Sequence, residues 1–160
     1  MLSSLQPVLY IQIAPRQLDL RNAKTGAALC EVAEIAIQRQ PKFKVLGVGN
    51  EARGHAGDSV EIAQPFAHPR SLVSDFTLGE QLLKVLIQRL QGRGFLVLAP
   101  VVILHPLGQP EGGFTQVEVR ALQEMAHGAG ATQVIVWQGR PLEDKEALSR
   151  QFPADGQVLV

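Results

Sequence analysis

Four histidines and a single cysteine are the side chains in this sequence best suited to hold a metal, and their spacing argues against it. His55, His68, His105 and His127 show no H-x-x-x-H or comparable pattern, and Cys30 stands near none of them. No metal site is expected. Ser71 and Ser74 lie in no G-x-S-x-G elbow, which removes the usual argument for a hydrolytic nucleophile. Gly47, Val48, Gly49 and Asn50 resemble the start of a dinucleotide fingerprint, but the third glycine and a following helix are missing, so a turn is expected. Thr115 and Glu118 form T-x-x-E, the spacing at which a hydroxyl and a carboxylate cap a helix reciprocally. Asp75 suits a helix entrance, where its carboxylate can accept a backbone N–H. Trp137, at the end of an apolar run, reads as packed core and not as a recognition platform.

Strands and helices must position these residues. Val101, Val102, Ile103 and Leu104 form an uninterrupted apolar run, as expected of a strand buried on both faces, closed by Pro106 and Gly108. Behind the Thr115 cap, Val117, Ala121, Leu122 and Met125 recur at helical spacing, and Gly128 with Gly130 stops that helix. Residues 133–137 are a second apolar run rich in β-branched side chains. Strand, crossover helix and parallel strand make a βαβ unit. Upstream, residues 8–14, the alternation around Leu18 and Leu20, and residues 32–37 predict an antiparallel meander, with a turn at 23–26. Thr77 with Glu80 predicts a second capping box. Leu78, Leu82, Leu83, Val85, Leu86 and Leu90 give the apolar stripe of the helix behind it, ended by Gly92 and Gly94. Residues 140–151 predict a more polar helix beginning at Pro141; a turn at Asp155 and Gly156 and a strand over 157–160 follow.

The βαβ stretch carries a resemblance. Pro106 and Gly108, then Thr115, Val117, Glu118, Arg120 and Ala121, then Ala126, Ala129, Gly130 and Ala131 match positions of V-P-S-G, T-x-V-E-x-R-A and A-x-x-A-G-A in the MreB family of rod-shape-determining bacterial actins. V-L-G-V-G-N-E-A at 45–52 resembles that family's V-L-A-V-G-x-E-A. Residues 60–65 resemble its I-V-A-I-R-P, and V-S-D-F at 73–76 its I-A-D-F. Two loop positions beside Gly108 differ, and the loop at 109–114 is longer. The resemblance implies an α/β fold of the actin-like ATPase (ribonuclease H-like) type, first half only. The expectation is one domain, 1–160, with a mixed sheet, helices on both faces and a small loop-rich lobe appended over about 44–73. In full members the strand at 157–160 leads into a second phosphate loop, D-I-G-G-G-T.

The resemblance also bears on chemistry. Where the family has D-L-G-T-A-N-T in its first hairpin, this chain has Gln12, Ile13, Ala14, Pro15, Arg16, Gln17 and Leu18. The family's aspartate lies near magnesium, and the neutral amide of Gln12 brings no charge to neutralise that ion. Ala14 adds a β-carbon where glycine lets amides approach a phosphate, and Pro15 deletes an N–H. Arg16 offers only a lone charge. The hairpin Gln12, Ala14, Pro15, Arg16 and Gln17 is therefore expected to bind no nucleotide. Glu118 falls, by the resemblance, at the family's water-positioning glutamate; its role as a helix cap needs no substrate and is the preferred reading. Asp75 also matches a family position and is read as structural.

Composition sets limits on partners. The 160 residues include 15 Lys plus Arg and 15 Asp plus Glu, so no charge excess favours nucleic acid or a polybasic membrane anchor. The hydrophobic fraction of 46% with 19% charged residues is ordinary for a globular domain. One cysteine forms no internal disulfide and fits the cytoplasm. The opening residues show neither an export signal nor a membrane span. Leu2 and Leu5 invite lipid insertion, but a frayed terminus is the simpler account. By resemblance the function is that of a non-catalytic MreB-like protein in cell shape or cytoskeletal assembly. It would act through contact with an MreB-like filament or with itself, and without a cofactor. Two rivals stay open: an ATPase half completed by a second chain, using magnesium-ATP, and a diverged regulatory module unrelated to cell shape.

Overall fold

The computed structural model describes residues 2–92 and 96–160; Gly94 and the side chain of Leu2 lie outside what is described. In chain order the elements are α1 (Leu2–Leu5), β1 (Val8–Ile13), β2 (Gln17–Asn22), β3 (Ala28–Val32), β4 (Ile35–Gln38), β5 (Lys44–Val48), a 3-10 helix (Gly49–His55) and β6 (Glu61–Ala63). They continue with α2 (Phe76–Gln91), β7 (Val101–Pro106), α3 (Gln116–Gly128), β8 (Gln133–Gln138), α4 (Asp144–Ser149) and β9 (Gln157–Val158).

Strand alternation fixes the position of β1. Leu9, Ile11 and Ile13 face one way, Val8 and Tyr10 the other, and all are buried, so β1 needs cover on both faces and neighbours on both edges. It pairs antiparallel with β2 and parallel with β7, in a six-stranded sheet of order β3-β2-β1-β7-β8-β9. α2 and α3 cover the face of Leu9, Ile11, Ile13, Leu18, Val102, Leu104 and Val136. The opposite face packs Tyr10, Ile103, Ile135 and Trp137 under Leu142 and Ala147 from the α4 segment. The expected mixed sheet with helices on both faces, its βαβ unit and its opening meander are present.

The strand expected over 32–37 is two strands in two sheets. Ala33 N–H donates to the Arg16 carbonyl at 3.0 Å and Glu34 N–H to Val32 at 2.8 Å, which bends the chain between β3 and β4. β4 then becomes the centre of a three-stranded sheet of order β5-β4-β6. The bend is hidden in the sequence because Ala33, Ile35, Ala36 and Ile37 are all buried, so the apolar run continues through it. Glu34 fastens the corner. Its carboxylate accepts from Arg53 Nε at 2.8 Å and Nη2 at 2.9 Å and from Gln64 Nε2 at 3.2 Å, while its carbonyl accepts from Gly49 N–H at 2.8 Å. The hydrogen bond from Arg53 holds this carboxyl below its ordinary value of 4.5, against the opposing effect of burial. A depressed folded-state value contributes stability above the ordinary one and loses it as pH falls through the folded one. Glu34→Gln should therefore flatten the fall of the urea midpoint with pH below about 4.5, measured against the unaltered chain.

Three helix expectations need correction. α2 is capped by Asp75, whose carboxylate accepts Leu78 N–H at 3.0 Å, so Thr77 lies inside the first turn and Thr77 with Glu80 is no capping box. α3 starts behind the Thr115–Glu118 box as expected, but it buries Val119, Leu122, Met125 and Ala126, and leaves Val117 80% exposed. Val117 sits in the first turn, two residues after the N-cap. α4 is six residues long and begins at Asp144, not Pro141. Leu142 N–H is spent on the Tyr10 hydroxyl, and Arg150 at φ 58° ends the helix. Among the described residues no helix is long and apolar enough to cross a membrane.

Candidate functional site

The carboxyl ends of parallel strands are where α/β sheets most often receive ligands, because side chains and loop amides diverge there and leave a crevice. Here β7 and β8 end at Pro106 and Gln138, and the loop after β7 forms a ridge between two clefts. The larger, about 790 Å³, lies on the β8 side, between His105, Gln109, Gly139, Pro141 and the turn around Asp155 and Gly156. The smaller, about 570 Å³, lies between Pro15, Phe66, Arg70, Phe114 and Glu118. Leu107, Gly108, Gln109 and Pro110 wall both.

The hairpin residues do not converge on either cleft as a group. Ala14 N–H donates to the Gln17 carbonyl at 2.9 Å and Gln17 N–H to Ala14 at 3.4 Å, so the turn closes on itself. Pro15 has no N–H to offer, which leaves the amide of Arg16 as the remaining donor of the turn. Pro15 lines the smaller cleft, while Gln12 opens into a separate hollow of about 380 Å³ with Tyr10, Asp19, Arg21 and Cys30. The Gln17 amide is turned onto Asp19 at 2.8 Å. A magnesium-bound triphosphate calls for a carboxylate beside the metal and several converging N–H or cationic donors. Among the described residues the larger cleft carries Asp155 as its formal charge and no Lys or Arg, and in the smaller one Arg70 shares the lining with Glu111 and Glu118. This donor set does not fit that group.

Glu118 is brought beside Pro15 in the smaller cleft, yet its carboxylate accepts Thr115 N–H at 2.7 Å, and Thr115 Oγ1 accepts Glu118 N–H at 3.1 Å. Thr115→Ala should cost about 1 kcal/mol, a typical loss for an N-cap, and Thr115→Ser should restore most of it, read from urea midpoints. The Gly47–Asn50 segment does lead into a helical turn, which the sequence did not suggest. That turn's N-terminus is already occupied by an anion of the chain itself: the Glu31 carboxylate accepts Asn50 N–H at 2.7 Å and packs on Gly49 at φ 66°. Trp137 is fully buried, with Nε1 donating to the Arg140 carbonyl at 2.9 Å and its ring stacked on Phe152. Among the described residues no group of three or more His, Cys, Asp or Glu could hold a metal ion.

Sequence reasoning missed the walls of the larger cleft. Gly139 and Gly156 form them because a β-carbon at either would strike the Trp137 ring. The signal was present in Q-G-R-P and D-G directly after strand-like runs. It also missed the partnership of His105, buried on β7, with Tyr10 on β1, whose hydroxyl lies 2.5 Å from His105 Nδ1. Burial pushes this histidine below its ordinary value, against a smaller raising effect of the Gly139 backbone.

Comparison with known proteins gives the scaffold a family. Residues 20–141 match the MreB/Mbl protein family. The chain is 30% identical to the cell shape-determining protein MreB of Escherichia coli K12 over 134 aligned positions, covering 74% of this chain and 36% of that protein. It is likewise 30% identical to the cell shape-determining protein Mbl of Bacillus cereus over 138, covering 84% and 39%. The chain thus spans little more than a third of the length of these relatives. Its fold is similar to MreB5 of Spiroplasma citri bound to AMPPNP, with a TM-score of 0.64 at 19% identity over 82% of this chain and 38% of that one. It is also similar to MamK in a double helical filament, with a TM-score of 0.58 at 11% identity over 82% and 40%. With its mixed sheet, paired βαβ strands and matched segment, the chain belongs to the MreB/Mbl family.

Proposed function

We propose that this chain is a non-catalytic MreB-like protein that works in the cytoplasm, in cell shape or cytoskeletal assembly, through contact with an MreB-like filament or with a second copy of itself. The observation that carries this reading is the first hairpin. Its turn spends two amides on itself, lacks a third at Pro15, and places the neutral Gln12 in a different hollow from Pro15. A chain without that grip acts through its surface. Support for a filament as the partner comes from the relatives: MamK, of similar fold, is seen as a double helical filament. The consecutive apolar residues Leu96, Val97 and Leu98 are exposed and offer contact area. The purified chain should pellet saturably with polymerised MreB and stay in the supernatant without it. A monomer that never pellets with filaments would overturn the proposal.

A second reading has one observation in its favour, the meeting of Glu118 and Pro15 in one cleft. In it, the chain is half of an ATPase completed by another polypeptide. Magnesium-ATP turnover would then appear only with that partner, be lost in Glu118→Ala, and survive Thr115→Ser.

A further inference from the structure

Residues 139–150 form a strap across the face of the sheet opposite α2 and α3, where Leu142 and Ala147 pack into the core and a set of polar contacts is laid over that packing. Tyr10 is the central post. Its oxygen accepts Leu142 N–H at 3.2 Å, and its hydroxyl lies 2.5 Å from His105 Nδ1. Arg21 lies over the Tyr10 ring at 5.1 Å, donates to the Leu142 carbonyl at 2.9 Å and pairs with Asp144. His105 and Tyr10 are 3% and 2% exposed, so the bond between them is buried, while Arg21 and Asp144 at the strap's edge are partly exposed. His105, Gly139 and Pro141 also wall the larger cleft, so the strap's seating sets that cleft's width.

The neutral imidazole suits this arrangement. With its proton on Nε2, Nδ1 accepts the Tyr10 hydroxyl proton, leaving the tyrosine oxygen free to accept from Leu142. Protonation turns Nδ1 into a donor. The Tyr10 oxygen must then take two N–H groups, and its own proton must leave the pair. The charged groups on the elements packed around this cluster are Asp19 and Arg21 from β2, Arg140, Glu143, Asp144 and Glu146 from the strap, and Asp155 from the turn before β9; Asp19 shares a hollow with Tyr10 and accepts from the Gln17 amide. The nearest cation, Arg21, repels a charged ring, and the strap's acids are already engaged: Asp144 by Arg21, Glu146 by Arg140, and Glu143 by Lys145. Among the described residues no acid is hydrogen-bonded or ion-paired to the His105 ring, so a buried imidazolium there goes unneutralised.

We propose that His105, Tyr10 and Leu142 form an acid-sensitive latch, in which protonation of His105 releases the 139–150 strap and widens the larger cleft while the rest of the sheet stays folded. The direction follows from burial, which favours the neutral ring in the latched state. Opening is thus promoted as pH falls below the ordinary histidine value of 6.5.

Amide hydrogen exchange on the full chain from pH 7.5 to 5.0, corrected for intrinsic rates, tests this alongside an NMR titration of the His105 ring. Protection at Leu142, Ala147 and Arg150 should fall by about tenfold or more in step with His105 titration, while β1 and β7 amides keep theirs. His105→Asn retains a side-chain acceptor for Tyr10 but does not titrate, and it should abolish the acid step. If that variant does not fold, the coincidence of the two titrations in the unaltered chain decides. Constant strap protection through the His105 titration would overturn the latch, as would loss of strap and sheet protection together, or an acid step persisting in His105→Asn.

Discussion

Trp137→Ala should lower the unfolding free energy by about 3–5 kcal/mol, the range for truncating a buried aromatic. Against about 5–15 kcal/mol for a typical domain, that is a large share of the total. Trp137 is fully buried, its indole stacks on Phe152 with centroids 5.3 Å apart, and its N–H reaches the Arg140 carbonyl. Truncation leaves that carbonyl unpaired and Phe152 without its partner. It also empties the space that Gly139 and Gly156 leave open: a β-carbon at Gly156 would lie 2.6 Å from Trp137 Cζ2. Urea unfolding followed by circular dichroism gives the number, and a loss under about 1 kcal/mol would mean that the strap and the turn before β9 pack independently of the indole.

The second large effect is expected on the other face, at the crossing of α2 and α3. Gly79 is buried there, and a β-carbon on it would lie 2.9 Å from Met125 Sδ and 3.3 Å from Phe66 Cζ. Gly79→Ala gains up to about 1 kcal/mol of helix propensity, which offsets the push on the flexible Met125, so near-neutrality is expected. Gly79→Val adds two more carbons against Phe66 and Met125, of which Phe66 is a rigid, fully buried ring. It should destabilise by about 2–3 kcal/mol, as overpacked cores do. Equal stability for glycine and valine would mean that the helices do not approach so closely.

Elements with one dominant local signal were legible in the sequence. β7 and β8 are apolar runs bounded by Pro and Gly, and the Thr115–Glu118 box announced α3 to the residue. Competing local signals hid others. Asp75 and Thr77 both suit an N-cap, and the extended backbone at Asp75, φ −142°, decided between them. At Ala33 the chain changes sheets without any break in its apolar pattern, because both sheets bury the residues they receive. The short α4 was overextended because Pro141 is a good first helical residue, whereas Leu142 N–H is taken by Tyr10, 132 positions away in sequence. That long-range bond has no local trace. The same holds for the site: the hairpin's lost carboxylate and amide can be read from Gln12 and Pro15, but the separation of Gln12 from Pro15 into different hollows comes only from the fold.

Calorimetric titration of the isolated chain with magnesium-ATP addresses the proposal most directly. A scaffold that has kept its sheet and lost its grip on phosphate gives no heat of binding at millimolar nucleotide, and its unfolding midpoint is the same with and without it. Saturable heat at micromolar nucleotide, dependent on magnesium and accompanied by a rise in that midpoint, would contradict it.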